Sequence, residues 1–276
     1  MATAFSRLSL SGLVAVVSGG TSGIGRAIAL GLADAGADVV ATARRPGLVD
    51  EVATEVERRG RRTLRLVSDV TDRASLEAVR DACLAELGRL DILVSAAAIT
   101  QRVPTIEMSD ADWQRVLDTN VTGTWHACRV FGAPMLEQGS GRIITIASLA
   151  SMVGFLEVSA YTASKAAVAG LTRALAVEWA PRGVTVNAIA PGIFVTDLNR
   201  GNMSVHSAMP QARTTDGSRQ AARNVRARMR LMAAAPHSAP GSRRLPRSPG
   251  SSPAPVPRTP PGFPPAAPGR CRPECP

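Results

Sequence analysis

Tyrosine and lysine are almost absent from this chain: each occurs once in 276 residues, and aromatic residues make up only 3% of it. Cysteine is scarce as well, with four in total. Cys83 and Cys128 lie far apart in helix-like segments. Cys271 and Cys275 sit in a proline-rich end with no histidine or further cysteine beside them. That spacing argues for neither a disulfide framework nor a metal site, and it fits a reducing, cytoplasmic compartment. No apolar run reaches the roughly 18 residues that a membrane span needs. The opening Met-Ala-Thr-Ala-Phe-Ser-Arg lacks the basic-then-apolar pattern of a secretory leader.

The net charge of +10 suggests a nucleic-acid binder until the charges are placed. Twelve of the 32 basic residues but only Asp216 and Glu274 of the 22 acidic ones follow Arg200, so the excess belongs to the end of the chain. The first two hundred residues are neutral and carry no basic stripe interleaved with aromatics, so no specific nucleic-acid partner is expected.

Two patterns divide the chain. Up to about Asp197, short runs rich in Val and Ile alternate with longer amphipathic stretches. Strands are predicted at 13–18, 38–43, 63–68, 92–95, 142–147 and 184–188. Helices are predicted at 25–35, 48–59, 75–87, 110–136 and 159–180. Apolar strands without polar alternation, each followed by a helix, indicate an α/β fold: a doubly wound, Rossmann-type parallel sheet covered on both faces. Residues 201–276 hold fifteen of the twenty prolines, with Arg, Ser, Ala and Gly and no sustained apolar period. Only Ala221–Ala235 could form a helix. The segment reads as a disordered tail, because it cannot bury enough apolar surface to offset its ordering entropy.

The single tyrosine and single lysine are four residues apart, in Ser159-Ala-Tyr-Thr-Ala-Ser-Lys165. That gap puts Tyr161 and Lys165 on one helix face, one turn apart. An ammonium beside a phenol favours the phenolate, lowering a pKa that is ordinarily near ~10 and making the tyrosine a proton donor or acceptor near neutrality. The plain alternative is two surface residues sharing a face. At the other end, Ser18-Gly-Gly-Thr-Ser-Gly-Ile-Gly25 follows the first strand and opens the first helix. Its glycines let the backbone turn tightly and approach a pyrophosphate at the helix N-terminus, although a mere tight turn reads the same way. The second strand ends in Ala43 and Arg44 where an NAD site usually carries an acid. A guanidinium there can pair with a 2′-phosphate, which favours NADP over NAD unless the arginine is simply solvated. Asp69 ends the third strand, where ligands of open α/β sheets gather.

With these pieces in place, the first two hundred residues resemble the short-chain dehydrogenase/reductase family. The match is ordered: the glycine turn, Asp69-Val70, Asn120 in Asp-Thr-Asn-Val-Thr-Gly, Ser148 in Ile-Ala-Ser, Tyr161 with Lys165, and Pro191-Gly-Ile-Phe-Val-Thr196. Ser148 precedes Tyr161 by thirteen positions, the separation typical of the family. The resemblance implies a hydride-transferring enzyme that interconverts a ketone and a secondary alcohol. Tyr161 would be its acid/base, and Ser148 would orient the substrate oxygen. Lys165 would lower the Tyr161 pKa and hold the nicotinamide ribose, and Asn120 would complete a proton relay. Gly19, Thr21, Ser22, Gly23, Ile24 and Gly25 would face the pyrophosphate, and Asp69, Val70 and Ala96 would continue the cofactor cleft, with Asp69 and Val70 at the adenine. Pro191, Gly192 and Thr196 would surround the nicotinamide. Members resembling gluconate 5-dehydrogenases carry an Arg-x-Pro like Arg102-Val-Pro104, in which the arginine binds a substrate carboxylate or lies on the surface. The 3-oxoacyl-carrier-protein reductases fit nearly as well.

Departures accompany the resemblance. The family's Asn-Asn-Ala-Gly reads Ser95-Ala-Ala-Ala98 here, and residue 18 is Ser where Thr is usual. After Asn199 no lid, final helix or seventh strand can be found. A frame shift in a GC-rich gene near residue 200 would account for that, and so would a natural disordered extension. The domain is therefore expected at 1–200, with six strands. Pairing of copies through the helices at 110–136 and 159–180 is left open. The competing reading is an impaired nucleotide-binding remnant whose basic tail binds anionic partners nonspecifically.

Overall fold

The computed structural model describes residues 9–194 and 196. The expectations for the tail, the helix at 221–235, the lid and the seventh strand fall outside the described residues. Five strands, β1 (Val14–Ser18), β2 (Asp38–Thr42), β3 (Ile92–Ser95), β4 (Gly141–Ile146) and β5 (Val184–Ile189), form one sheet in the order β2-β1-β3-β4-β5. Every pairing is parallel. The connecting helices are α1 (Gly23–Asp34), α2 (Pro46–Arg58), α3 (Arg73–Leu87), α4 (Asp110–Leu117), α5 (Gly123–Gln138) and α6 (Ser159–Trp179).

The period of two along each strand divides the core. Val14 and Val16 of β1 point into one cluster with Leu93, Ile143 and Val186, beneath Leu76, Val79, Phe131, Met135, Leu175 and Trp179 of α3, α5 and α6. Ala15 and Val17 point the other way, with Val39, Ile92 and Val94, against Ala29 and Ala33 of α1 and Val52 and Val56 of α2. β1, β2 and β3 are buried on both faces along nearly their whole length and have no place for polar alternation, whereas β5 buries Val184 and Val186 and exposes Thr185 and Asn187.

Two expectations need correction. The segment 63–68, predicted as a full strand, runs beside β2 but makes only one bridge pair, Ala43 with Val67. Backbone bonds tie it at its ends, Val39 N–H to the Arg62 carbonyl at 3.1 Å and Ser68 N–H to the Ala43 carbonyl at 3.2 Å. Between them the Thr42 hydroxyl takes the Leu66 carbonyl at 2.7 Å, a side chain serving where a backbone donor would. The predicted helix 110–136 is interrupted by a π-helical turn at Asp118–Thr122, with Asn120 inside it. Such turns insert one residue into the helical ladder and re-aim what they carry.

Asp91 stands at the entry of β3 and joins three strands. Its carboxylate accepts the Val14 N–H at 2.9 Å and two bonds from Arg89 at 2.8 Å, while its backbone meets Val14 and Arg142. Burial alone would raise this carboxyl, but the bonds from Arg89, Val14 and Gln138 hold it below the usual carboxylate value. Asp91→Ala leaves a strand N–H without its acceptor and should cost about 1–3 kcal/mol in urea unfolding at neutral pH. A depressed folded-state pKa contributes stability that is present above the unfolded value of about 3.9 and lost as pH falls through the folded one. The gap between parent and variant should therefore close on acidification. Equal stabilities at pH 7 would contradict this role.

Candidate active site

At the carboxyl ends of β1 and β3 the chain leaves toward opposite faces of the sheet, opening a crevice where open α/β folds bind ligands. A cleft of about 500 Å³ lies there. Gly19 turns with φ 73°, and a Cβ on it would sit 2.5 Å from the Ala97 nitrogen. A Cβ on Gly25 would land on the Gly19 carbonyl. Side chains are thus excluded where the turn, the loop after β3 and the start of α1 converge. Ser22, the N-cap of α1, makes no side-chain hydrogen bond to the helix's first turn, and Gly23, Ile24 and Gly25 of that turn line the cleft. The buried Ser18 hydroxyl lacks a partner among the described residues. Uncapped amides, an orphaned hydroxyl and a backbone cradle free of side chains suit a dinucleotide pyrophosphate. Arg44, two-thirds exposed, approaches Asp69 at 3.9 Å across the same end of the cleft.

The opposite wall holds the single tyrosine and lysine. Lys165 is 3% exposed and donates to the Ile146 carbonyl at the end of β4 over 2.6 Å. Its ammonium lies 5.7 Å from the centre of the Tyr161 ring. Burial pulls the lysine down to about 8. For Tyr161 the direction expected from the sequence is reversed. Burial pushes the phenol above its ordinary value, and the opposing pull comes from a hydrogen bond with the Ser148 side chain, not from Lys165. A four-residue spacing fixes the shared face but not its depth, and here desolvation wins.

The cleft gathers Gly19, Thr21, Ser22, Gly23, Ile24, Gly25, Arg44, Asp69, Val70, Ala96, Ser148, Tyr161, Lys165, Pro191, Gly192 and Thr196, all sixteen of them cofactor or catalytic candidates. Asn120 is the exception. It is 1% exposed and lies behind the wall, with its amide oxygen accepting the Ile99 N–H at 2.8 Å. Its amide nitrogen donates to the Ile99 carbonyl and to the Ser164 hydroxyl, both at 2.9 Å. Arg102 does not line the cleft either, and its Nε donates to Glu157 at 3.1 Å. Ile99, Thr119, Ile146 and Phe194 also stand on the cleft walls, although the sequence assigns none of them a site role. Ile146 and Ile99 could have been found from their positions at and after strand carboxyl ends, and Thr119 and Phe194 stand inside the runs Asp-Thr-Asn-Val-Thr-Gly and Pro191-Gly-Ile-Phe-Val-Thr196 that carry the resemblance.

A family model described as short chain dehydrogenase matches residues 13–205. The 2-dehydro-3-deoxy-D-gluconate 5-dehydrogenase of Bacillus subtilis is 43% identical over 190 residues, covering 68% of this chain and 73% of that protein. A 3-oxoacyl-[acyl-carrier-protein] reductase of Synechocystis is 39% identical over 190 residues, covering 68% and 77%. Among solved structures, a gluconate 5-dehydrogenase from Burkholderia cenocepacia in complex with NADP and tartrate superposes with a TM-score of 0.69 at 33% identity, over 73% of this chain and 80% of that one.

Because the chain has one lysine, selective ¹³C labelling of lysine gives a single ε-carbon resonance. In the ligand-free protein it should titrate near pH 8. A midpoint at the ordinary value of ~10.4 would place Lys165 in water and contradict the buried site.

Proposed function

The chain belongs to the short-chain dehydrogenase family, and on that premise we propose that it is an NADP(H)-dependent enzyme that interconverts a ketone and a secondary alcohol through Tyr161. The catalytic domain is assigned to residues 1–200, which the family match at 13–205 supports. The observation that carries the reading is one cleft with the glycine turn on one side and Ser148, Tyr161 and buried Lys165 on the other.

The turn Gly19–Gly25 and the start of α1 would hold the pyrophosphate, Asp69 and Val70 the adenine end, and Arg44 the 2′-phosphate. Ala43 beside Arg44 offers no carboxylate to a ribose hydroxyl and no repulsion to a phosphate, which supports NADP over NAD. The nicotinamide, when bound, supplies or takes up the hydride. Tyr161 delivers its phenolic proton to the substrate oxygen as that oxygen gains negative charge, and withdraws it in the reverse direction. The Ser148 hydroxyl donates to the same oxygen and holds it in reach of the phenol. Lys165, its ammonium 5.7 Å from the centre of the Tyr161 ring, would hold the nicotinamide ribose. Asn120 holds the Ile99 wall of the cleft in place. Sugar acids and polyols are the favoured substrates, supported by the 2-dehydro-3-deoxy-D-gluconate 5-dehydrogenase relative at 43% identity.

Tyr161→Phe should lower carbonyl reduction by about 10²–10⁴-fold while NADP affinity stays within about twofold, because the phenol handles the proton. Turnover followed by nicotinamide absorbance, with affinity from fluorescence titration, checks both. Most of the parental turnover surviving in Tyr161→Phe would sink the assignment.

Cofactor choice gives a second check. Arg44→Ser should weaken NADP binding by roughly ten- to a hundredfold, the worth of one charge-assisted bond, and leave NAD binding unchanged. Equal losses for the two nucleotides would mean that Arg44 does not read the phosphate.

A further inference from the structure

We propose that Ser151 is a positioning residue whose single hydroxyl sets the placement of Ser148 relative to the helix that carries Tyr161 and Lys165. The inference rests on the assignment of Ser148 and Tyr161 to the substrate oxygen. After β4 the chain passes through Ala147 and Ser148 into one 3₁₀ turn, Leu149–Ser151. Within it the bonds are reciprocal: Ser148 Oγ accepts the Ala150 N–H at 3.1 Å, and Ser151 Oγ accepts the Ser148 N–H at 3.2 Å. The same Ser151 hydroxyl then donates its only proton to the Lys165 carbonyl at 2.8 Å. It therefore joins the backbone of Ser148 to the backbone of Lys165, with one bond in each direction.

The other backbone ties of this turn lead elsewhere. Ala147 N–H meets the Ile189 carbonyl at 2.8 Å, and Leu149 N–H meets the Pro191 carbonyl at 3.0 Å. Those bonds hold the turn to the end of β5 and do not fix it against α6. Ser148 must nonetheless stay within hydrogen-bonding reach of Tyr161, which rides on α6. Ser151 supplies a direct link across that junction. A misplacement of about 1 Å in a reacting constellation can cost ~10²-fold in rate, so loss of the link should be felt at Ser148 without touching the nucleotide end.

The test uses the full chain and its one tyrosine, whose tyrosinate ultraviolet absorbance reports Tyr161 alone in nucleotide-free protein. The titratable group against that ring is Lys165 of α6, while Arg44, Arg45 and Asp69 line the far end of the cleft. All four remain unchanged in every variant. Ser148→Ala should move the tyrosine midpoint upward, because the bond that favours the phenolate is gone. Ser151→Ala should move it the same way and lower kcat about tenfold, with NADP affinity unchanged. The double variant should match Ser148→Ala alone, and Ser151→Thr should restore the parental values. If Ser151→Ala unfolds, Ser151→Cys keeps the volume with a weakly bonding thiol and should give the same upward shift.

A parental midpoint and turnover in both Ser151→Ala and Ser151→Cys, beside a clear effect of Ser148→Ala, would overturn this inference alone. So would a Ser151→Ala effect that adds in full to that of Ser148→Ala. No effect of Ser148→Ala would instead overturn the assignment on which the inference rests.

Discussion

The hydrogen bond from Lys165 Nζ to the Ile146 carbonyl is the contact around which this site is organised. An ammonium at 3% exposure is costly, and it persists only where partners answer it. The partner here is the last carbonyl of β4, so the charge pins the start of α6 over the end of the sheet. Tyr161, one turn earlier, is thereby held over the cleft. The same face of α6 is braced from behind, where Ser164 accepts from Asn120 and donates to the Tyr161 carbonyl at 2.7 Å. Asn120 reaches Ser164 and both backbone groups of Ile99 from within the π turn that divides the helices α4 and α5. The kink is thus a structural device that joins the wall of the cleft to the helix carrying the tyrosine.

Across the cleft the organising constraint is space. Gly19 and the loop after β3 approach so closely that a side chain on Gly19 would strike the Ala97 backbone. Ser95-Ala96-Ala97-Ala98 puts only small side chains at this close approach. Ala96 N–H still reaches the Ser18 carbonyl at 2.8 Å and holds the two loops together. The glycine-turn side of the cleft is therefore built from backbone, whereas the side that holds Tyr161 and Lys165 is built from polar side chains. Changes on the two sides should separate binding from chemistry.

Much of this was legible in the sequence, for identifiable reasons. The continuous Val and Ile runs gave the parallel sheet, because strands buried on both faces leave no polar period. The glycine turn and the spacing of Ser148, Tyr161 and Lys165 gave the cleft, because strand ends and helix faces are local properties. What was hidden depends on burial and on long-range partners. The 63–68 segment has strand composition but only a partial ladder, since Thr42 answers one of its carbonyls through a side chain. Asn120 sits in a helical pattern whose π distortion no periodicity reveals. The shift of Tyr161 follows from how deep the helix face lies, which spacing cannot report. Arg102 had two readings from sequence, and its ion pair with Glu157 fits neither fully. That glutamate is 55 positions away and, at φ 61°, the one non-glycine residue with positive φ among those described.

The central claim is that the proton exchanged with the substrate oxygen belongs to Tyr161. The most direct measurement compares two midpoints in the same NADP-saturated protein. One is that of kcat/KM for alcohol oxidation against pH, and the other is that of the tyrosinate absorbance of the single tyrosine. Oxidation needs the phenolate, so the rate should rise with pH and level off, and the two midpoints should coincide. A rate profile whose midpoint is clearly displaced from the tyrosinate titration, or one that falls as the phenolate forms, would contradict the account.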